Sequence, residues 1–179
     1  AAIHLAAQSN ARFAGMGTTL VVARFHDNRL VVAHVGDSRL YRFRAPSLAQ
    51  LTHDHSVLQE QIDSGMISPE QARFAPHKNL VTRALGVDAT VNTEIGEHET
   101  LPGDIYLLCS DGLSDMADDR EIAALLAASS SNLSRCAQQL VQMANEHGGR
   151  DNVSVILVRV RKPFPAASSA ATGGNRKAK

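Results

Sequence analysis

Apolar and polar residues alternate in short stretches through the first third of the chain, and the stretches are separated by turn-forming residues. Thr18 to Phe25 and Arg29 to Val35 are β-branched runs joined by His26-Asp27-Asn28, which predicts a hairpin. After a Gly36-Asp37-Ser38 turn, Arg39 to Arg44 alternates like a half-exposed strand, and Leu48 to Leu51 adds a shorter one. Helical spacing marks other segments. Ala1 to Asn10 reads as the tail of an amphipathic helix, and Val57 to Ser64 as a helix stopped by Gly65. Ser68-Pro69-Glu70-Gln71 combines an N-cap, a proline at the first helical position and a capping-box glutamine.

Phe74 to Asn79 lacks periodicity and reads as a mobile surface segment. Val91 to Ile95 reads as a strand, and Leu101-Pro102-Gly103-Asp104 as a turn into the apolar strand Ile105 to Ser110. Asp118-Asp119-Arg120-Glu121 is a capping box opening a helix through Leu126. A second helix puts Leu133, Cys136, Ala137, Leu140, Val141 and Ala144 on one face and ends in a left-handed cap at Gly148. Val153 to Val158 forms the last strand, closing near Val160. Many short strands with helices clustered late predict an α+β domain with antiparallel sheets rather than repeated βαβ units.

Composition narrows the class. A chain of 179 residues has room for one cored domain, and 44% apolar with 20% charged residues is ordinary for a globular protein. Lysine plus arginine equals aspartate plus glutamate at 18 each, so the broad positive field of a nucleic-acid binder is absent. No apolar run approaches the ~20 residues that span a bilayer and no signal-peptide pattern opens the chain, so a cytoplasmic protein without membrane contact is expected. Cys109 and Cys136 read as small buried hydrophobes in a reducing compartment. Beyond Lys162, Pro-Ala-Ser-Gly composition predicts a disordered tail over 162–179 whose basic end is simply solvated.

Three acids stand at strand boundaries: Asp37 in Val35-Gly36-Asp37-Ser38-Arg39, Asp111 after Cys109-Ser110, and Asp151 in Arg150-Asp151-Asn152. Each alone reads as a turn-capping aspartate. Together they matter more, because the strands of one sheet can bring their ends within a few ångströms of each other. Carboxylate oxygens without histidine or thiolate select magnesium or manganese over zinc or copper. Two such ions about 4 Å apart can clamp a phosphoryl group during in-line attack. His53 and His55 beside Asp54 alternate along an extended stretch and read as polar loop residues rather than ligands. Ser110 lacks a Gly-x-Ser-x-Gly elbow, and Gly15-Met16-Gly17 lacks the lysine of a nucleotide-binding loop.

The ordered series Gly15-Met16-Gly17-Thr18-Thr19, Val35-Gly36-Asp37-Ser38-Arg39, Leu51-Thr52-His53-Asp54-His55-Ser56, Thr82-Arg83-Ala84-Leu85-Gly86, Cys109-Ser110-Asp111-Gly112-Leu113 and Arg150-Asp151-Asn152-Val153 resembles the metal-dependent protein phosphatase 2C (PPM-type) family, above all its compact bacterial serine/threonine phosphatases. The resemblance runs from about Gly15 to Val160. It implies a central antiparallel β-sandwich flanked by helices (α-β-β-α layers) over residues 1–161, with a flap at about 57–76. It also implies two core Mn2+ or Mg2+ ions and a third, and hydrolysis of phosphoserine and phosphothreonine by metal-activated water. By resemblance, Asp111 and Asp151 hold a core metal, Asp37 and Asp111 hold the third, and Arg39 and Asn152 brace the neighbouring aspartates. The partners implied are phosphorylated proteins and a cognate serine/threonine kinase system in signal transduction, and the protein is expected to be a monomer.

Two motifs of the family are absent: the early arginine before Asn-Glu-Asp, which grips the phosphate, and the Asp-Gly-Met/His-Gly-Gly turn, whose aspartate bridges the core metals. Fourteen residues precede Gly15, none of them acidic, and Arg12 has no acidic neighbour. No catalytic residue is therefore named. The expectation is the C-terminal two thirds of a phosphatase domain without its N-terminal strands, weakly active or inactive as written. The rival reading is a non-catalytic phosphatase-like binding module.

Overall fold

The structure is a computed structural model, and it describes residues 1–72 and 80–164. The predicted hairpin is β1 (Leu20–His26) and β2 (Arg29–Val35), antiparallel in register from Leu20 opposite Val35 to His26 opposite Arg29. Asp27 and Asn28 join them at φ 47° and 59°, the doubly positive turn that matches strand twist. Next come β3 (Arg39–Arg44), β4 (Ser47–Gln50), α2 (Val57–Asp63) and α3 (Pro69–Ala72), preceded by the opening helix α1 (Ala2–Ser9). Ser68 and Gln71 exchange the two bonds of the predicted capping box, at 2.8 and 3.3 Å.

The later elements are β5 (Glu94–Glu99), β6 (Ile105–Cys109), α4 (Asp111–Ser114), α5 (Asp119–Ser129), α6 (Leu133–Glu146) and β7 (Val155–Arg159). Three expectations shift. The strand expected at Val91 to Ile95 lies three residues later, in a polar stretch. Its pairing with β2, from Arg29 opposite Glu99 to His34 opposite Glu94, outweighs its poor propensity. The α5 helix runs beyond Leu126 to Ser129, capped as predicted by Asp118 and Glu121. Asp111 does not merely end a strand; it begins the one-turn helix α4. The segment Phe74 to Asn79 and the tail from 165 onward lie outside the described residues, while the Phe164 N–H is held by the Asn28 side chain at 2.8 Å.

Two antiparallel sheets result, β1-β2-β5 and β4-β3-β6-β7. Leu30 and Val32 from one meet Leu40 and Tyr106 from the other in the layer between them, where Phe25 stacks edge-on to Tyr106 at 5.1 Å. On the opposite face of the larger sheet, Tyr41, Phe43, Ile105, Leu107 and Cys109 pack under α4, α5 and α6 through Leu113, Ile122, Leu126, Cys136 and Leu140. Burial on both faces explains why β6 reads Ile-Tyr-Leu-Leu-Cys without alternation. The outer face of the smaller sheet presents exposed Leu20, Val22 and Ile95 to solvent. Both cysteines are buried, and burial pushes the Cys109 thiol up to about 12, so neither is poised for chemistry. No helix among the described residues is long and apolar enough to cross a membrane.

Candidate metal centre

All three aspartates sit where strands of the sandwich end or begin. The Asp37 loop leaves β2 through Gly36, whose φ is +103°. A Cβ on Gly36 would stand 2.3 Å from the Thr19 methyl, so both the conformation and the space require glycine. Thr19 and Ser38 join hydroxyls across the loop at 2.9 Å. On its other side the Gly36 N–H donates to His55 Nδ1 at 3.2 Å, and the His55 N–H donates to the Gly36 carbonyl at 3.1 Å.

Asp111 stands at the first position of α4, where its Oδ1 accepts from the Gly112 N–H at 2.9 Å. Gly112 lies directly on the backbone of the Asp151-Asn152 turn: a Cβ there would be 2.4 Å from the Asn152 carbonyl oxygen. Ser110 stitches the same junction, donating its hydroxyl to the Asn152 carbonyl and accepting the Ser154 N–H, each at 3.1 Å. That is a structural role and not a nucleophile's. Asp151 is exposed, and its Oδ1 accepts the Asn152 N–H at 2.7 Å. Backbone contact therefore makes the Asp111 and Asp151 segments neighbours across 40 positions of sequence.

Asp37 is linked electrostatically to Asp111. Its carboxyl is raised to about 6, first by burial and then by the negative charge of Asp111, with Asp54 and Asp115 adding to it and a backbone hydrogen bond opposing. Asp115 was not singled out by the sequence reading. It lies four residues after Asp111, at the end of α4, so both acids share one helical face, a spacing that could have drawn notice. Mutually repelling carboxylates, all oxygen donors, are the chemistry a hard divalent cation relieves. Donors of this oxygen-only kind suit magnesium or manganese. A stability consequence follows for the metal-free protein. Because the folded state favours protonated Asp37, stability is retained below about pH 4 and lost as pH rises through about 6. Asp37→Asn should therefore be more stable than the parent at pH 7, on the order of 1 kcal/mol after solvent screening, and equal to it at pH 3.5. Denaturant unfolding at the two pH values checks this; an equal difference at both would contradict it.

The expected bracing is only partly as anticipated. Asn152 supports Asp151 through its backbone N–H. Arg39 turns away from Asp37 and grips buried Asp54 instead, with Nε at 2.9 Å and a second nitrogen at 2.7 Å from Oδ2, while also donating to the Tyr41 hydroxyl. Burial alone would lower the Arg39 pKa, but Tyr41 and Asp54 raise it above its usual value. The guanidinium chooses Asp54 because that carboxylate is the more enclosed and needs the partner more.

The histidines also depart from expectation in part. His53 is exposed and pairs with Asp63 at 2.7 Å, as a polar loop residue should. His55 is buried and stacks on buried His34 with ring centroids 4.8 Å apart. Burial first, and then the charges of Arg83 and His34, lowers the His55 pKa against the opposing hydrogen bond to Glu94. His34, His55 and Glu94 have donor atoms within 4.8 Å of one another, yet they do not suit one ion. An imidazole binds metal in its ring plane, and planes stacked at 20° do not meet nearby. His34 Nε2 is moreover spent on the His53 carbonyl at 2.7 Å.

The family model described as "Protein phosphatase 2C" matches residues 3–153. The chain belongs to the protein phosphatase 2C family. It is 42% identical over 156 residues to the serine/threonine phosphatase stp of Listeria monocytogenes, covering 87% of this chain and 62% of that one. To the phosphatase PhpP of Streptococcus pneumoniae it is 38% identical, covering 89% and 64%. Its fold superposes on the crystal structure of the Mycobacterium tuberculosis serine/threonine phosphatase PstP/Ppp with a TM-score of 0.84 at 38% identity, over 89% of this chain and 67% of that one. It is likewise similar, with a TM-score of 0.80 and 38% identity, to the catalytic domain of PstP in complex with 2 manganese ions, covering 90% and 66%. The chain thus spans a little under two thirds of the length of the curated relatives it matches. The α+β sandwich expected from the resemblance is the fold these protein phosphatase 2C relatives share.

Proposed function

We propose that the chain forms part of a divalent-metal-dependent phosphatase site that hydrolyses phosphoserine and phosphothreonine in proteins, within a system that includes a serine/threonine kinase. The observation carrying this reading is the seat of Gly112 on the Asn152 backbone, which brings the Asp111 and Asp151 segments together while Asp111 charge reaches Asp37. Asp111 and Asp151 would hold a core cation, and Asp37 with Asp111 a further one. Manganese or magnesium bound there would supply an activated water and neutralise the phosphoryl oxygens. The chain's own residues fix the donors: Gly36, Thr19 and His55 hold the Asp37 loop, and Ser110 with Gly112 holds Asp111 against Asp151.

The 179 residues contain no Asp-Gly-Met/His-Gly-Gly turn and no arginine before Asn-Glu-Asp. Full turnover on this reading requires those groups from residues outside the sequence. Hydrolysis of a phosphothreonine peptide with manganese, measured for this chain and for a longer one carrying the turn, tests it. The longer chain should turn over substrate, and Asp111→Asn in it should abolish turnover. Family-typical rates from this chain, or an unaffected Asp111→Asn variant, would overturn the reading.

A further inference from the structure

One buried group beside the Asp37 loop is not itself a candidate ligand. His55 is 4% exposed and sits against the loop that carries Asp37. It touches Gly36 twice, through its backbone N–H and through Nδ1. Nδ1 accepts from a backbone N–H, so the neutral ring must carry its proton on Nε2, where Glu94 accepts at 3.3 Å. Arg83 lies 3.2 Å from the same Nε2. The Arg83 contact calls for the opposite tautomer, which would set Nδ1–H against the backbone Gly36 N–H; with the proton on Nε2 it is the long Arg83 side chain that has to swing aside. The Gly36 carbonyl is held as well, by the His55 N–H at 3.1 Å, so the loop and the histidine are tied at two points. The imidazole stacks on His34, and the His55 backbone is held by the Thr82 N–H, which donates to its carbonyl at 2.8 Å.

We propose that His55 is a positioning residue for the Asp37 loop: its Nδ1 lone pair fixes the Gly36 amide and thereby the direction in which the Asp37 carboxylate leaves the sheet. The inference rests on Asp37 being a cation ligand. Side chains that orient metal ligands commonly affect affinity by ~10- to 100-fold, although they touch no metal.

Two substitutions separate the ends of the ring. Asparagine places an acceptor near Nδ1 and should preserve the Gly36 bond; glutamine reaches the Nε2 end only. Manganese titration by calorimetry should show His55→Gln weakening the Asp37-dependent site about tenfold, with His55→Asn close to the parent. Amide exchange at Gly36 in the metal-free protein should be faster in His55→Gln and protected in His55→Asn. Equal behaviour of the two variants, or the reverse order, overturns the proposal. Asp37→Asn is the reference: if it lowers manganese affinity and His55→Gln does not, this inference alone fails. If Asp37→Asn leaves manganese binding unchanged, the ligand assignment fails and takes the inference with it. Should His55→Gln not fold, Glu94→Leu against Glu94→Gln at an exposed position serves instead, since only leucine removes the Nε2–H acceptor. Faster Gly36 exchange in the leucine variant supports the proposal, and identical exchange overturns it.

Discussion

Gly112→Ala is expected to destabilise the protein by about 3 kcal/mol and to separate the Asp111 and Asp151 segments. The added methyl would stand 2.4 Å from the Asn152 carbonyl oxygen and 2.9 Å from its carbon. Both are backbone atoms and cannot swing aside like the end of a long side chain. Gly112 is also the first residue after Asp111 and lies in buried α4, so the helix would have to move with the strand that precedes it. The conformation itself is not at issue, since Gly112 is not in the left-handed region; close approach alone demands glycine. Thermal or denaturant unfolding checks the energy. A loss below about 0.5 kcal/mol would mean that the junction is looser than its contacts imply.

The second large effect is expected at Asp54. Asp54→Ala should cost about 3 kcal/mol or more, because it leaves the Arg39 guanidinium largely enclosed without its counter-charge. Gln50, which donates to the same carboxylate at 2.8 Å, would keep only its bond to the Thr52 carbonyl. The damage should extend to the site, since Arg39 begins the strand that follows Asp37. Replacing Arg39 and Asp54 together by methionine and leucine should recover much of the stability, as apolar pairs of similar volume often match buried ion pairs. Unfolding of the single and double variants, taken as a cycle, measures this. A double variant as unstable as the sum of the singles would contradict it.

Local chemistry announced much of the fold. The Asp27-Asn28 turn, the Asp118/Glu121 and Ser68/Gln71 capping boxes and the α6 face needed only neighbouring residues to be read. The β5 strand did not: Glu94-Ile95-Gly96-Glu97-His98-Glu99 extends because β2 offers it a ladder, and pairing across 60 to 70 residues leaves no local trace. The same division runs through the site. Strand-end positions pointed to Asp37, Asp111 and Asp151, and the family resemblance gave them a shared chemistry. The contact that joins two of them, Gly112 on Asn152, is a meeting of backbones that no spacing reveals. Arg39 was expected to serve its sequence neighbour, and it serves Asp54 because burial decides where a charge must be paired. His55 looked like one of two polar loop histidines. Only the fold distinguishes it from solvent-facing His53.

The most direct test of the account is a calorimetric manganese titration of this chain at pH 7 beside its Asp37→Asn and Asp111→Asn variants. Asp111 would contribute to two cations and Asp37 to one. Asp111→Asn should therefore weaken binding by more than about tenfold and by clearly more than Asp37→Asn. Equal affinities in the two variants would contradict Asp111 as the shared ligand, and affinities equal to the parent's would contradict the metal centre itself.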